Sequence, residues 1–209
     1  MKSQNLIKYV SYTVSGIYAL ILFILGVRLP NVAVKLLSAL PLALVLLFIF
    51  FDRWLWRRRP FWCFVRRRPR LSGTWRGLLT TISLDDNCNE TSVEIPVFFE
   101  IRQTFSEVSI ALMSRESESR SLTAELVSDS HERFTLWYQY QGVPGIGVRT
   151  RSPIHFGGAR VDISERNPMT FTGEYWTDRM TRGSYTAELI SAKFLGSFDA
   201  AEAFVREDL

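Results

Sequence analysis

Asp52-Arg-Trp-Leu-Trp-Arg-Arg-Arg-Pro-Phe-Trp-Cys-Phe-Val-Arg-Arg-Arg-Pro-Arg70 divides this chain into two halves suited to different solvents. Its arginines are Arg53, Arg57, Arg58, Arg59, Arg66, Arg67, Arg68 and Arg70. Upstream the residues are apolar enough for lipid, and downstream they alternate as β-strands do. Charge divides at the same place. Residues 1–70 carry 12 basic and 1 acidic side chains, a net +11, whereas residues 71–209 carry 13 and 20, a net −7. The formal +4 of the whole chain hides both. The stretch therefore reads as a membrane-surface collar over 53–70, between a hydrophobic hairpin over 1–52 and a soluble domain.

The upstream half reads as two transmembrane helices. From Tyr9 to Val27 no charged residue occurs for 19 positions, close to the roughly 20 mostly apolar residues that a spanning helix needs. A second apolar run, Val32 to Phe51, is interrupted only by Lys35, whose long side chain can reach the interface from the start of the helix. Leu29-Pro30-Asn31 supplies the turn. A cleaved signal peptide is the rival for the first run, but no small-residue cleavage site follows it and a second span does. Lys and Arg beside spans stay cytoplasmic, so the collar outweighs Arg28 and Lys35 and puts both termini on the cytoplasmic side. Trp54, Trp56 and Trp62 fit an aromatic belt at that interface. Ser11, Ser15 and Ala19 recur every four residues, as do Ala39 and Ala43, the small-residue spacing that lets membrane helices associate closely.

Several functions fit poorly. A domain with net negative charge repels DNA or RNA, which are bound by neutralising many phosphates with Lys and Arg; a small nucleotide in a local pocket stays open. Cys63 and Cys88 have no CxxC or Cys/His spacing that would hold zinc and read as free thiols in a reducing compartment. His131 and His155 are isolated, so no metal is expected. No Ser-His-Asp order or carboxylate pair suggests an enzyme.

Beyond Pro69 the pattern becomes period two, broken by polar turns, as in antiparallel strands with one buried face. Eight strands are expected, at 71–83, 97–105, 107–114, 121–128, 133–141, 154–164, 170–178 and 183–192. Sequential strands with short connections and no crossover helices make an all-β, eight-stranded, antiparallel up-and-down barrel of the lipocalin-like kind over 71–192. Gly73, Trp75 and Gly77 share one face with Leu71 and Leu79. Gln103 shares a row with Phe99, Ile101 and Phe105. Tyr138 and Tyr140 align with Phe134 and Leu136, while Tyr175, Thr177 and Arg179 align with Phe171 and Gly173. Rings gather toward one end of that face and polar groups toward the other, which is how a site for a flat, hydrogen-bonding ligand is built. Gly142-Val-Pro-Gly145-Ile-Gly147 reads as a flexible loop and 114–121 as a polar turn. Gly157-Gly158 signals a bulge or a close backbone approach. The tail, 193–209, has Phe198, Ala201, Phe204 and Val205 at helical spacing with Ser197 as a cap.

Gly73-Thr-Trp75-Arg-Gly77, Ile101-Arg-Gln103, Ser119-Arg-Ser121, Tyr138-Gln-Tyr140 before Pro144, His155-Phe-Gly157 and Gly173-Glu-Tyr175-Trp-Thr177-Asp-Arg179 occur in this order behind two apolar runs. The chain thereby resembles the two-transmembrane β-barrel effectors of bacterial cyclic-oligonucleotide-based anti-phage signalling systems (CBASS), encoded beside CD-NTase cyclases. The resemblance implies a barrel in the cytoplasm, carried by the inner membrane, that binds a cyclic di- or trinucleotide made by the cognate cyclase. It further implies homo-oligomerisation and disruption of the lipid bilayer. With such a ligand, Tyr138, Tyr140 and Tyr175 would stack on bases, Gln103 would read a base edge, and Ser119, Ser121, Thr177 and Arg179 would hold phosphates. Two other readings remain: a membrane-tethered carrier of lipid or another hydrophobe, whose cavity would lack hydrogen-bond donors, and a structural membrane adaptor with a fully packed barrel.

Overall fold

The computed structural model of the chain describes residues 3–27, 32–58, 68–84, 90–128, 133–163 and 168–207. The chain divides into two compact units, 1–65 and 66–209. Arg28, the turn at 29–31, Arg59, Trp62, Cys63, Arg66, Arg67, Cys88 and His131 lie outside the described residues.

The first unit holds α1 (Ser3–Val27) and α2 (Val32–Arg53). Tyr12 meets Phe48, with ring centroids 5.9 Å apart, and Gly26 meets the Ser38 side chain, so the helices run antiparallel. Ala19 is buried, Ala39 half-buried, and Ser15 and Ala43 are exposed; the side chain of Ser11 lies outside the description. Ile17, Leu20, Ile21, Leu44, Leu47 and Phe50 are exposed apolar side chains on the same pair. Among the described residues no helix is long and apolar enough to cross a membrane. Side chains are described only for 12–26 of α1 and for 32 and 38–53 of α2, each run shorter than the roughly 20 residues of a span. After α2 the chain makes a 3-10 turn at Leu55–Arg57. There the Arg58 guanidinium lies 4.2 Å from the Trp54 ring centroid.

The second unit is a closed barrel of β1 (Gly73–Leu84), β2 (Glu90–Gln103), β3 (Val108–Met113), β4 (Ser117–Ser128), β5 (Phe134–Pro144), β6 (His155–Ile163), β7 (Thr170–Thr177) and β8 (Arg182–Ser191). Each strand pairs antiparallel with the next, and β1 closes on β8. The expected rows face inward: burial along β5 alternates at Phe134, Leu136, Tyr138 and Tyr140, and along β7 at Phe171, Gly173 and Tyr175. Closure needs Gly73. Its φ of +145° lies where side chains are rarely tolerated, and a Cβ there would strike the Ser191 carbonyl.

Three segments depart from expectation. β2 begins at Glu90 because β1 alone supports its first half; the β2–β3 ladder starts only at Phe98, so Pro96, which has no N–H, sits on an unpaired edge. The polar residues 117–121 belong to β4, and the reversal from β3 is confined to 114–117, where the Ser114 N–H donates to the Ser117 carbonyl at 2.8 Å. β5 runs on through Pro144, and a short 3-10 turn at Ile146–Val148 follows where a glycine-rich loop was expected.

One end of the barrel is plugged by its own leading segment. The Gln103 side chain donates from Nε2 to the Pro69 carbonyl (3.0 Å) and accepts the Leu71 N–H at Oε1 (2.9 Å). Trp75 Nε1 donates to the Leu71 carbonyl at 2.9 Å, so the backbone of a fully buried leucine keeps its hydrogen bonds. On the outer wall, α3 (Phe198–Glu207) begins with Ser197 Oγ accepting the Ala200 N–H (3.2 Å) and packs Phe198 and Ala201 onto Phe98 and Met113. Gln103→Ala leaves two buried backbone groups unmatched and should cost about 2 kcal/mol or more of stability. Denaturant unfolding of the full chain in detergent measures it; a loss within error of zero means that this clamp does not hold the barrel closed.

Candidate functional site

The barrel interior changes character halfway along. At the plugged end, Trp75 and Phe99 both lean on Phe171, with ring centroids 4.7 and 5.5 Å away, and Leu71, Ile101, Leu136 and Ile163 pack around them. Toward the other end the lumen opens into a cavity of about 670 Å³, within the roughly 300–1,000 Å³ usual for small-ligand sites.

Strand register explains why that space is left. Around one level of the barrel the cross-strand partners run Tyr138, Ala159, Tyr175, Gly183 and Thr81, so rings alternate with small residues. One level toward the mouth Tyr140 pairs with Gly157, and one level inward Tyr185 pairs with Gly173. A Cβ on Gly157, Gly173 or Gly183 would collide with the ring of Tyr140, Tyr185 or Tyr175. These rings lie against bare backbone along the wall and leave the centre free.

The lumen is polar yet uncharged. The Tyr138 and Tyr185 hydroxyls are 3.3 Å apart, and the Tyr175 hydroxyl donates to Thr81 Oγ1 at 2.7 Å. Burial pushes the Tyr138 phenol up to about 12, although its bond with Tyr185 pulls the other way. Burial likewise raises Tyr140, Tyr175 and Tyr185. All four are neutral at physiological pH, offering ring faces and hydroxyl donors. His155 joins them. Burial lowers its pKa, and its Nδ1 faces the Pro153 carbonyl at 3.2 Å; a carbonyl only accepts, so the proton sits on Nδ1 and Nε2 is left as an acceptor.

Charge enters only at the rim, where the β3–β4 turn, the 145–154 segment and the β7–β8 turn meet the cavity. Arg179 donates from Nη1 to Ser152 Oγ (3.0 Å), and its backbone N–H reaches Thr177 Oγ1 (3.2 Å). Its buried Nε has no hydrogen-bond partner among the described residues. The other two rim arginines are held by carboxylates: Arg151 by Glu116 at 2.5 Å and Arg115 by Glu202 at 2.7 Å. Among the described residues Arg179 is the rim arginine with no carboxylate in ion-pair range.

Of the residues singled out from sequence, Ser119, Tyr138, Tyr140, Tyr175, Thr177 and Arg179 line the cavity together. Gln103 and Ser121 do not. Gln103 is the clamp at the plugged end, its amide occupied by Pro69 and Leu71. Ser121 stands where β3 and β4 part. Their ladder ends at Ala111 and Arg120, and the Ser121 hydroxyl accepts the Ile110 N–H (3.0 Å) in place of the next rung. Sequence reasoning passed over Thr81, Arg151, Ser152, His155 and Tyr185. Alternation along β8 carried the signal for Tyr185, two places beyond Gly183; the loop residues had none.

Residues 66–188 match the family model described as "Cap15, cyclic dinucleotide receptor domain". The chain belongs to the Cap15 family. It is 30% identical over 135 residues to CD-NTase-associated protein 15 of Staphylococcus schleiferi, an alignment covering 65% of this chain and 68% of that relative. This is the CBASS effector family that the sequence motifs resemble. The Cap15 match takes in every residue that lines the cavity, and leaves α1, α2 and α3 outside it.

The buried phenols tie stability to alkaline pH. Their folded-state pKa values lie above the ordinary tyrosine value of 10, so their contribution is complete below pH 10 and is lost as pH rises toward about 12. Unfolding and phenolate absorbance, followed together from about pH 9 to 12, should show that fall, and Tyr138→Phe should make it shallower. Phenolate appearing in full near pH 10 without unfolding would mean that the rings are solvated.

Proposed function

We propose that this chain is a membrane-anchored effector of anti-phage defence whose barrel binds a cyclic oligonucleotide made by a cognate CD-NTase cyclase. Binding drives the chains to self-associate, and the assembly disrupts the inner membrane and arrests growth of the infected cell. The observation that carries this reading is the cavity of about 670 Å³, lined by neutral tyrosines and hydroxyls with Arg179 at its rim, inside the region that matches a cyclic dinucleotide receptor domain. A cyclic dinucleotide brings two base faces and two phosphates. It asks for ring platforms and a few aimed donors, and it does not ask for a basic surface. Tyr138, Tyr140 and Tyr175 offer the platforms; Ser119, Thr177 and Arg179 offer the donors. The reading requires no catalytic step and no metal.

In the same proposal 1–52 is a two-span hairpin in the inner membrane, 53–70 is its cytoplasmic collar, and both termini and the barrel are cytoplasmic. The backbones of α1 and α2 support it. They run for 25 and 22 residues, and at about 1.5 Å per residue each reaches the roughly 30 Å of a hydrocarbon core. Exposed Ser15 and Ala43 leave small-residue positions for helices of other copies.

A lipid carrier would present a lumen without donors, whereas Thr81, Ser117, Ser119, Ser152, Thr177 and Arg179 all reach this one. A solid structural barrel would have no such cavity. Thermal shift of the full chain in detergent against a panel of cyclic di- and trinucleotides tests the proposal. Arg179→Ala should weaken the binding member by about tenfold or more with ligand-free melting close to the parent's, and Tyr140→Ala should do likewise at a cost in ligand-free melting, because its ring is buried. If both variants respond as the parent does, the ligand binds elsewhere; bound fatty acid extracted from the purified protein would support the carrier instead.

A further inference from the structure

Three rim arginines line the cavity, and among the described residues Arg179 is the one with no carboxylate in ion-pair range. Arg179 donates to Ser152; the adjacent Arg151 also lines the cavity but is paired with Glu116 at 2.5 Å. Glu116 is a cavity-lining residue itself, and its backbone is fixed independently of its carboxylate, because its carbonyl accepts the Gly145 N–H at 2.8 Å. The Arg151–Glu116 pair is well exposed, at 64% and 59%, so it is a weak pair that an arriving anion can open.

We propose that Glu116 is a built-in competitor for Arg151 that a ligand's second phosphate must displace, and so tempers the affinity of a two-phosphate ligand. This deepens the cyclic-nucleotide reading and rests on it. A ligand with one phosphate takes Arg179 and leaves the Arg151–Glu116 pair closed. A ligand with two phosphates meets Arg179 with the first and displaces the Glu116 carboxylate from Arg151 with the second. The released carboxylate turns to solvent, which its exposure at the mouth permits. The second phosphate therefore gains Arg151 at the cost of the pair, whereas a one-phosphate ligand is indifferent to it.

The test compares cyclic di-GMP, cyclic di-AMP and cyclic GMP–AMP with 3′,5′-cyclic AMP on the full chain in detergent, by titration calorimetry. Glu116→Gln keeps the turn and removes the competitor. It should tighten the dinucleotide that binds by up to about fivefold, the worth of an exposed ion pair, leave 3′,5′-cyclic AMP within error of the parent, and so widen the preference. Arg151→Gln should weaken that dinucleotide by about tenfold or more. In the Arg151→Gln background Glu116→Gln should change nothing, since the two act as one pair. An unaltered preference in Glu116→Gln overturns the inference. So does a Glu116→Gln effect that persists without Arg151, because plain repulsion would then explain it. A parent chain that binds none of the panel overturns the binding reading and this inference with it, whereas a parent that binds while the variants match it overturns the inference alone.

Discussion

Ring against glycine is the contact on which the cavity depends. An eight-stranded barrel is just wide enough for side chains to fill it, and this one is filled at the Trp75 end. Nothing in barrel closure itself prevents the same outcome at the other end. What prevents it is that Tyr140, Tyr175 and Tyr185 each face a glycine across the ladder, so each ring occupies the place a neighbouring side chain would take. The wall is then lined with flat surface and the volume that glycine omits stays in the middle. An alanine at Gly157 or Gly183 would push a ring inward and use up that volume.

The two ends of the barrel differ in how completely their polar atoms are matched. At the plugged end the buried Leu71 backbone is matched internally: its N–H donates to Gln103 and its carbonyl accepts from the Trp75 indole. Such matched networks are costly to rearrange and hold one geometry. At the mouth the polar atoms are only partly matched. Among the described residues Arg179 Nε has no partner, His155 keeps an acceptor, and the Arg151–Glu116 pair is exposed. Unmatched donors on a rigid wall are what a ligand can complete, so the rigidity gained at one end makes the loose valences at the other selective.

Period-two alternation was enough to read eight strands and most inward rows, because the rule needs only nearest neighbours in sequence. Gln103 shows where it stops. A polar amide in an apolar row marked a special position correctly, yet its role depended on Pro69 and Leu71, 34 and 32 residues away, and no local pattern carries that distance. Ser121 failed for a related reason, since the parting of β3 and β4 gave its hydroxyl a backbone donor to bind. The first half of β2 was missed because Glu90-Thr-Ser-Val-Glu-Ile-Pro96 reads as a loop, and its strand conformation comes from β1 alongside it. Arg151 and Ser152 lie in a connection where sequence pattern says little, although the fold brings both to the cavity and Ser152 into a hydrogen bond with Arg179.

The charge division of the chain fits this arrangement of donors. A domain of net −7 weakens the attraction of any anion at long range, and salt screens that effect beyond about 8–10 Å. Inside the mouth the balance is local. Neutral phenols add no repulsion, because burial holds them protonated, and the Arg179 guanidinium lines the mouth without a carboxylate in ion-pair range among the described residues. An anion therefore gains only after it has entered and been aligned, when hydrogen-bond geometry decides the outcome. On the proposed reading, selectivity comes from requiring shape before charge: the same arginine on a basic surface would attract nucleotides without regard to their shape.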